Sequence, residues 1–416
     1  MKNYDLIVIG AGAAGLMAAG LAAKEGKIVA LIEKNARPGR KLMITGKGRC
    51  NVTNNCTPDE FIKFVNTNGR FMYSAINQFT PEDTMNFFED LGVPLKTERG
   101  NRVFPVSDKS VDIVDALDRF AKGENIDRYN ENCEALILEG GKVTGVVFEN
   151  GSKAYGKNVL VATGGKSYPQ TGSTGDGYKF ARQAGHTIAE IKPSLVPVVS
   201  KEDYCRDMMG LSLKNVTLSL YNAKKKKPVY SELGEMLFTH FGISGPLVLS
   251  ASAHIKGDIN DYSFKIDLKP GLTMEQLDKR LLRDFDSNIN KDFANSLGDL
   301  LPRKMIPVII RLSGIPFECK VNQITKEQRQ KLCEIIKGLR VTPTALRSID
   351  EAIVTAGGVN VKEISPKTME SKITKGLYFA GEVIDVDAYT GGFNLQVAFS
   401  TAYLAAQDII YKEEVL

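Results

Sequence analysis

Residues 4–26 read YDLIVIGAGAAGLMAAGLAAKEG, and no other stretch of this chain constrains its fold as strongly. Tyr4 to Ile9 is a short, apolar, β-branched run suited to a buried parallel strand. The glycine-rich turn Gly10-Ala11-Gly12-Ala13-Ala14-Gly15 follows at once and opens an alanine-rich helix that should end near Glu25-Gly26. Gly10 allows the tight turn, Gly12 lets backbone approach a pyrophosphate, and Gly15 lets helix and strand pack closely. The positive end of the helix then faces the phosphates. A second strand, Lys27 to Ile32, ends at Glu33, whose carboxylate is placed to accept hydrogen bonds from a ribose 2′-OH. A glycine turn alone is weak evidence; strand, glycines, helix, second strand and terminal acid together describe a dinucleotide site. The acid disfavours a 2′-phosphate, which leaves FAD and NAD.

Residues 6–23 carry no charge and are long enough to raise the question of a membrane span or signal peptide. Asp5 stands where a basic flank would be needed, and the glycines fit a strand, turn and helix better, so no membrane association is expected. At 416 residues, 43% hydrophobic and 25% charged, the chain should form two or three domains, with no long disordered or collagen-like segment. A net charge of +5 permits an anionic partner without demanding one. The cysteines, at 50, 56, 133, 205, 319 and 333, show no CxxC and no spacing suited to zinc. Free thiols in the cytoplasm and no metal site are expected; oligomeric state is not legible.

Later segments favour FAD over NAD. After Glu33 the chain continues Lys34-Asn35-Ala36-Arg37-Pro38-Gly39-Arg40-Lys41 and then LMITGKGRCNVTN, which contains Thr45, Gly46, Gly48, Arg49 and Asn51. A basic glycine-rich loop of this kind can wrap a long extended cofactor with backbone N–H groups and cations. Asn158 to Thr163 (NVLVAT) reads as another buried strand running through Ala162 and Thr163 into Gly164-Gly165, before GSTGDG opens a helix from Tyr178 to Ala184. Near the end, GLYFAGE supplies Gly381 and Glu382, with Asp385 and Asp387 close behind. Thr390-Gly391-Gly392-Phe393-Asn394-Leu395-Gln396 then starts a helix to about Asp408. That helix start can stabilise negative charge on a reduced flavin. Ala135 is added as a further cofactor contact.

The segments GAGAAGLMAA, GRKLMITGKGRCNVTNN, VLVATGGKSYPQTGSTGDGYKFARQAGH, GEMLFTHFGISGPLVLSAS and GLYFAGEVIDVDAYTGGFNLQVAFSTA occur in this order over residues 7–402. In them the chain resembles the BaiN/RdsA-type family of NAD(P)/FAD-dependent oxidoreductases, which includes aminoacetone oxidase-like flavoproteins. The ATGG…TGDG and GLYFAGE elements are also similar, more distantly, to those of fumarate reductase and ketosteroid dehydrogenase flavoproteins, which move hydride at an activated C=C bond. The resemblance implies an α/β fold: a Rossmann-like FAD-binding domain of the two-dinucleotide-binding-domain type, with an inserted β-barrel-like unit and a helical subdomain.

The expected division is 1–190 with 343–416 for FAD, 191–270 for the barrel-like unit and 271–342 for the helices. Pro193 and Pro197 mark the exit, VTLSLY, PVYSE and YSFKIDL alternate as strands, and MEQLDKRLLRDF and KEQRQKLCEIIKGL repeat at helical spacing. One strand–GxGxxG–helix unit implies that any NAD(P)H donor binds transiently in the substrate cleft, or that another protein supplies the electrons. No histidine lies in the loop after Glu33, so FAD should be non-covalent.

Two residues are candidates for chemistry. Cys50 reads either as a small buried cysteine or, beside a flavin, as an acid that protonates the second carbon of a reduced C=C bond. His240, in GEMLFTHFGISGP, either faces the active site or is a satisfied structural histidine. Arg49 holds a substrate anion or only its own loop. Lys224 to Lys227 read as a solvated hairpin tip, or as a phosphate-contacting loop. The resemblance implies NAD(P)H-driven reduction of an activated C=C bond in a small-molecule or nucleobase substrate, in its most specific form uridine to dihydrouridine in 23S ribosomal RNA. The alternatives are an oxygen-dependent oxidase of a small amine such as aminoacetone, and a non-catalytic, flavin-holding RNA-binding or assembly factor.

Overall fold

The structure is a computed structural model and describes residues 2–412. Two compact units are present: Met1–Ser194 with Ile349–Leu416, and Leu195–Ser348. The first break in sequence falls between Pro193 and Pro197.

The first unit is built on a parallel sheet. Its strands lie in the order Ile126–Tyr129, Val29–Ile32, Asn3–Ile9, Lys153–Val161 and Leu377–Phe379, every adjacent pair parallel. The strands read as continuous apolar runs because both faces are covered: Leu6, Ile7, Val8, Val29 and Ala30 are fully buried. On one edge the first half of Lys153–Val161 pairs antiparallel with Lys142–Phe148, which in turn pairs with Cys133–Glu139. In register, Ile9 pairs with both Ile32 and Val161, and Phe379 also pairs with Val161. The carboxyl ends of four strands therefore finish at one level, and Gly10, Glu33, Ala162 to Gly165 and Ala380-Gly381 leave the sheet together. In open α/β sheets that rim is where ligands bind.

Two buried helices cover the sheet, Ala13–Lys24 and Phe393–Tyr411. Small residues let backbone come close to them. A Cβ on Gly381, whose φ is +76°, would lie 3.3 Å from Ala14 Cβ and 3.6 Å from Ala398 Cβ. His186 sits just past the helix Asp176–Gln183, buried, with its Nε2 2.7 Å from Ser371 Oγ. Burial holds its imidazole below the ordinary value, with Glu363 only partly offsetting this.

The second unit carries a seven-stranded antiparallel sheet in the order Leu339–Val341, Tyr262–Asp267, Ser212–Asn222, Tyr230–Phe238, Gly242–Ser244, Val198–Ser200 and Pro343–Leu346. Strand Ser212–Asn222 shows the expected period of two, burying Val216, Leu218 and Leu220. Helices Met274–Asp286, Ile306–Ser313 and Lys326–Lys337 belong to the same compact unit as these strands, and so do residues 343–348. Two of the three start on a capping box, Thr273 with Gln276 and Thr325 with Gln328.

Candidate cofactor site

The three glycines of the N-terminal turn have three different surroundings. Gly10 has φ +101°, and a Cβ there would lie 2.7 Å from the carbonyl oxygen of Ala162 on the neighbouring strand. A Cβ on Gly15 would overlap the carbonyl oxygen of Gly10, so helix and strand touch through this residue. At Gly12 a Cβ would meet nothing within 4 Å. Two of the glycines are thus spent on packing, and the third keeps one face of the turn open. The helix that begins here has Gly12 as its N-cap, no side-chain cap and no acid in its first turn, so its leading N–H groups are left for another acceptor.

Glu33 stands at the carboxyl end of the second strand. Its Oε2 accepts from Ala11 N–H (2.9 Å), and its Oε1 accepts from Asn35 N–H (2.8 Å) and Asn35 Nδ2 (2.7 Å). Asn35 was not anticipated as a site residue. Its amide also donates to Thr171 O (3.3 Å) and its Oδ1 accepts from Arg40 Nη1 (2.9 Å). Next to it, Lys34 Nζ contacts Thr174 Oγ1 and Asp176 Oδ2, both at 2.6 Å, which ties this loop to the TGDG segment. Gly39, in the left-handed region at φ +66°, donates its N–H to Ala11 O (2.9 Å).

Residues 45–50 form a turn with left-handed backbone at Gly46, Lys47, Gly48 and Cys50. Thr45 Oγ1 donates to Leu42 O (2.7 Å), and Cys50 N–H donates to Thr45 O (3.0 Å). Positive φ at Lys47 and Cys50 is costly for residues with a Cβ and persists where surrounding contacts enforce it. Asn51, directly after, has its Oδ1 buried with no hydrogen-bond partner. Cys50 is fully buried, and burial pushes its thiol up to about 12, with the Thr45 hydroxyl opposing.

At the other end of the chain, Gly391 and Gly392 have φ +120° and +98°, and Gly392 is the N-cap of helix Phe393–Tyr411. This helix start also lacks a side-chain cap and a first-turn acid. Asn394 braces the loop before it, its Oδ1 accepting from Ala388 N–H (2.9 Å) and its Nδ2 donating to Ala388 O (2.8 Å). Phe393 is buried and stacks on Phe64 at 4.7 Å, and Leu395 is partly buried against the core. Asp387 is buried, its Oδ2 accepting from Ser194 Oγ (2.7 Å) and Asn66 Nδ2 (3.2 Å) while its Oδ1 has no partner.

Several side chains expected to reach a cofactor are committed elsewhere, each for a physical reason. Lys41 Nζ lies 2.6 Å from both Glu382 Oε2 and Ser167 Oγ, because the partly buried carboxylate needs a cation. Glu382 Oε1 also accepts from Ser167 Oγ (2.9 Å) and Thr355 N–H (2.8 Å). Burial pushes the Glu382 carboxyl up, and Lys41 with these donors more than offsets it, so the group stays below the ordinary carboxylate value. Ser167 and Thr355 were missed in the sequence, and Thr355 lies in a three-residue strand without a pattern.

Arg49 pairs with Glu98 and Asp108, both at 2.5 Å, and stacks over Phe104 at 4.1 Å, so it holds its own loop. Gln396 is fully buried; its Oε1 accepts from Thr53 and Thr84 and its Nε2 donates to Phe79 O (3.0 Å). Ala135 sits in the antiparallel strand opposite Val147. His240 belongs to the second unit, is exposed, and packs its ring edge against Phe241 at 5.0 Å.

Two observations fit an extended anionic dinucleotide, the open face at Gly12 and the two uncapped helix starts at Gly12 and Gly392, while the unpartnered Asn51 Oδ1 suits a hydroxyl or N–H donor on such a group. Gly10, Gly12, Ala13 and Glu33 would hold the nucleotide end. The turn around Gly46 and Gly48, Thr163 to Gly165 and Gly391 to Leu395 would lie further along it.

Comparison with known proteins agrees. Residues 4–408 match the family described as HI0933-like protein Rossmann domain. The chain is 32% identical over 413 residues to ribosomal RNA dihydrouridine synthase of Escherichia coli K12, covering 99% of each chain. It is 34% identical to the protein of that name in Haemophilus influenzae, over 98% of this chain and 99% of the relative. It is also 30% identical to 3-dehydro-bile acid delta(4,6)-reductase of Clostridium scindens, over 96% and 97%. Among solved structures, a flavocytochrome c3 fumarate reductase in its open conformation superposes with TM-score 0.52 at 17% identity, over 98% of this chain and 78% of that one. A 3-ketosteroid-delta4-(5alpha)-dehydrogenase of Rhodococcus jostii gives 0.51 at 14%, over 97% of both. These two share the fold. No described helix is long and apolar enough to cross a membrane. The chain belongs to the HI0933-like Rossmann family.

Proposed function

We propose that this protein reduces an activated C=C bond with NAD(P)H as transient electron donor, and that its substrate is a uridine of 23S ribosomal RNA, converted to dihydrouridine. The observation that carries the reading is full-length similarity, at 32% and 34% identity, to two proteins named for that reaction, together with a first unit built to hold a dinucleotide. Bound FAD supplies the hydride. The chain contributes the two uncapped helix starts, which favour negative charge near them, and the Lys41–Glu382–Ser167–Thr355 network, which locks four segments in place.

A second reading, reduction of a steroid-like enone, draws on the 30% identity to the bile acid reductase and needs the same machinery. An anaerobic NADPH titration followed at the flavin absorbance, then addition of transcribed 23S rRNA or an enone, tests both. Reoxidation by RNA alone supports the first reading. Reoxidation by the enone alone supports the second. A flavin that neither NADH nor NADPH reduces would refute the donor assignment.

A further inference from the structure

The hairpin joining Ser212–Asn222 to Tyr230–Phe238 carries four consecutive lysines, Lys224 to Lys227, and lies beside a cavity of about 370 Å³. Lys225, Lys227, Pro228, Val229, His254, Lys256 and Tyr262 line it. Its volume is that of a small-ligand pocket, roughly 300–1,000 Å³.

The walls are held by the fold. Lys224 N–H donates to Asn222 Oδ1 (2.9 Å), and Ala223 N–H donates to Asp261 O (2.8 Å). Opposite, Tyr262 Oη accepts from Lys256 N–H and donates to Lys256 O, both at 3.0 Å, which fixes the loop bearing that lysine. Two carboxylates stand at this end of the unit. Asp261 is spent on Lys224 (2.5 Å), and Asp258 accepts from Asn260 N–H (3.0 Å) and Nδ2 (2.8 Å). Lys225, Lys226, Lys227 and Lys256 are exposed and have no ion-pair partner among the described residues. One lysine is therefore neutralised and orders the tip, while three cations, Lys225, Lys227 and Lys256, line the cavity with no ion-pair partner among the described residues.

We propose that this cavity binds the phosphodiester backbone of RNA, with Lys225, Lys227 and Lys256 as the phosphate-contacting residues. The inference rests on the RNA reading above and adds the partner surface to it. A lining of lysines over Pro228, Val229 and a buried Tyr262 whose hydroxyl is occupied suits a backbone phosphate and its ribose.

The test compares full-length holoprotein with K225Q/K227Q/K256Q and with K63Q/K142Q/K153Q, a control of equal charge change on exposed lysines of the first unit. Binding to transcribed 23S rRNA is measured against salt, with flavin content and melting temperature checked in each protein. The expected result is at least about tenfold weaker binding for the cavity variant alone, with a salt slope shallower by about two, as loss of three phosphate contacts to single-stranded RNA requires. Equal binding by both variants overturns the proposal. Dihydrouridine in wild-type rRNA is scored separately: its presence with unaltered binding by the cavity variant overturns only the surface, whereas its independence of this gene overturns the RNA reading itself.

Discussion

Lys41 and Glu382 form an ion pair, Nζ to Oε2 2.6 Å, across 341 positions of sequence, with side chains 21% and 18% exposed. Ionisation of Glu382 is favoured by folding because its pKa is lowered, so its contribution is present above the ordinary carboxylate value and is lost as pH falls through the lowered one. Lys41→Met leaves a carboxylate with burial and no cation, at a cost of roughly 2–3 kcal/mol at neutral pH. The deficit relative to wild type should shrink below about pH 4. Urea unfolding across this pH range checks it, and a deficit independent of pH would contradict the pairing.

Gly12 and Gly15 separate cofactor binding from folding. Gly12→Glu places a carboxylate on the open side of the turn without a clash, so the variant should fold, melt close to the wild-type apoprotein and retain no FAD. Gly15→Ala drives a methyl into the Gly10 carbonyl and should lower the melting temperature of the apoprotein itself. Stoichiometric flavin in purified Gly12→Glu would defeat the placement.

Glu33→Ala removes the acceptor for Ala11 N–H and Asn35, and with it the carboxylate placed for a ribose hydroxyl. Loss of charged hydrogen bonds of about 1.5–3 kcal/mol should weaken FAD binding roughly 10- to 100-fold. Titration of apoprotein with FAD by fluorescence quenching measures it.

The buried Cys50 thiol, pushed up to about 12, remains protonated and should resist iodoacetamide at mildly alkaline pH until the protein is unfolded. Because it is enclosed, Cys50→Ala should retain its flavin and turn over within about tenfold of wild type, below the roughly 10²–10⁴-fold that a general acid contributes. A hundredfold loss of turnover with full flavin content would establish the thiol as the proton donor.

The strand, glycine turn, helix and second strand that open the first unit were legible in sequence because Gly10 and Gly15 answer to local distances and these elements follow one another directly. The network around Glu382 was not legible as a network. Lys41 and Glu382 were visible as residues near a cofactor, but a pairing over 341 positions leaves no spacing signal, and Thr355 joins through its backbone N–H and hydroxyl. Arg49 and Gln396 show the converse limit. Their sequence neighbourhoods mark the site, yet Glu98, Asp108, Thr53 and Thr84 take up their side chains. In the second unit, the alternation of Ser212–Asn222 predicted a strand and the lysine run a hairpin tip, but the cavity beside it needs His254 to Tyr262 folded back, which no local pattern encodes.

Reduction of a 23S rRNA uridine by this protein can be read by mass spectrometry of 23S rRNA nucleosides from a strain lacking this gene, complemented with wild type or with Gly12→Glu. Dihydrouridine should be lost in the deletion, restored by wild type and not restored by Gly12→Glu. An unchanged dihydrouridine content in the deletion strain would contradict it.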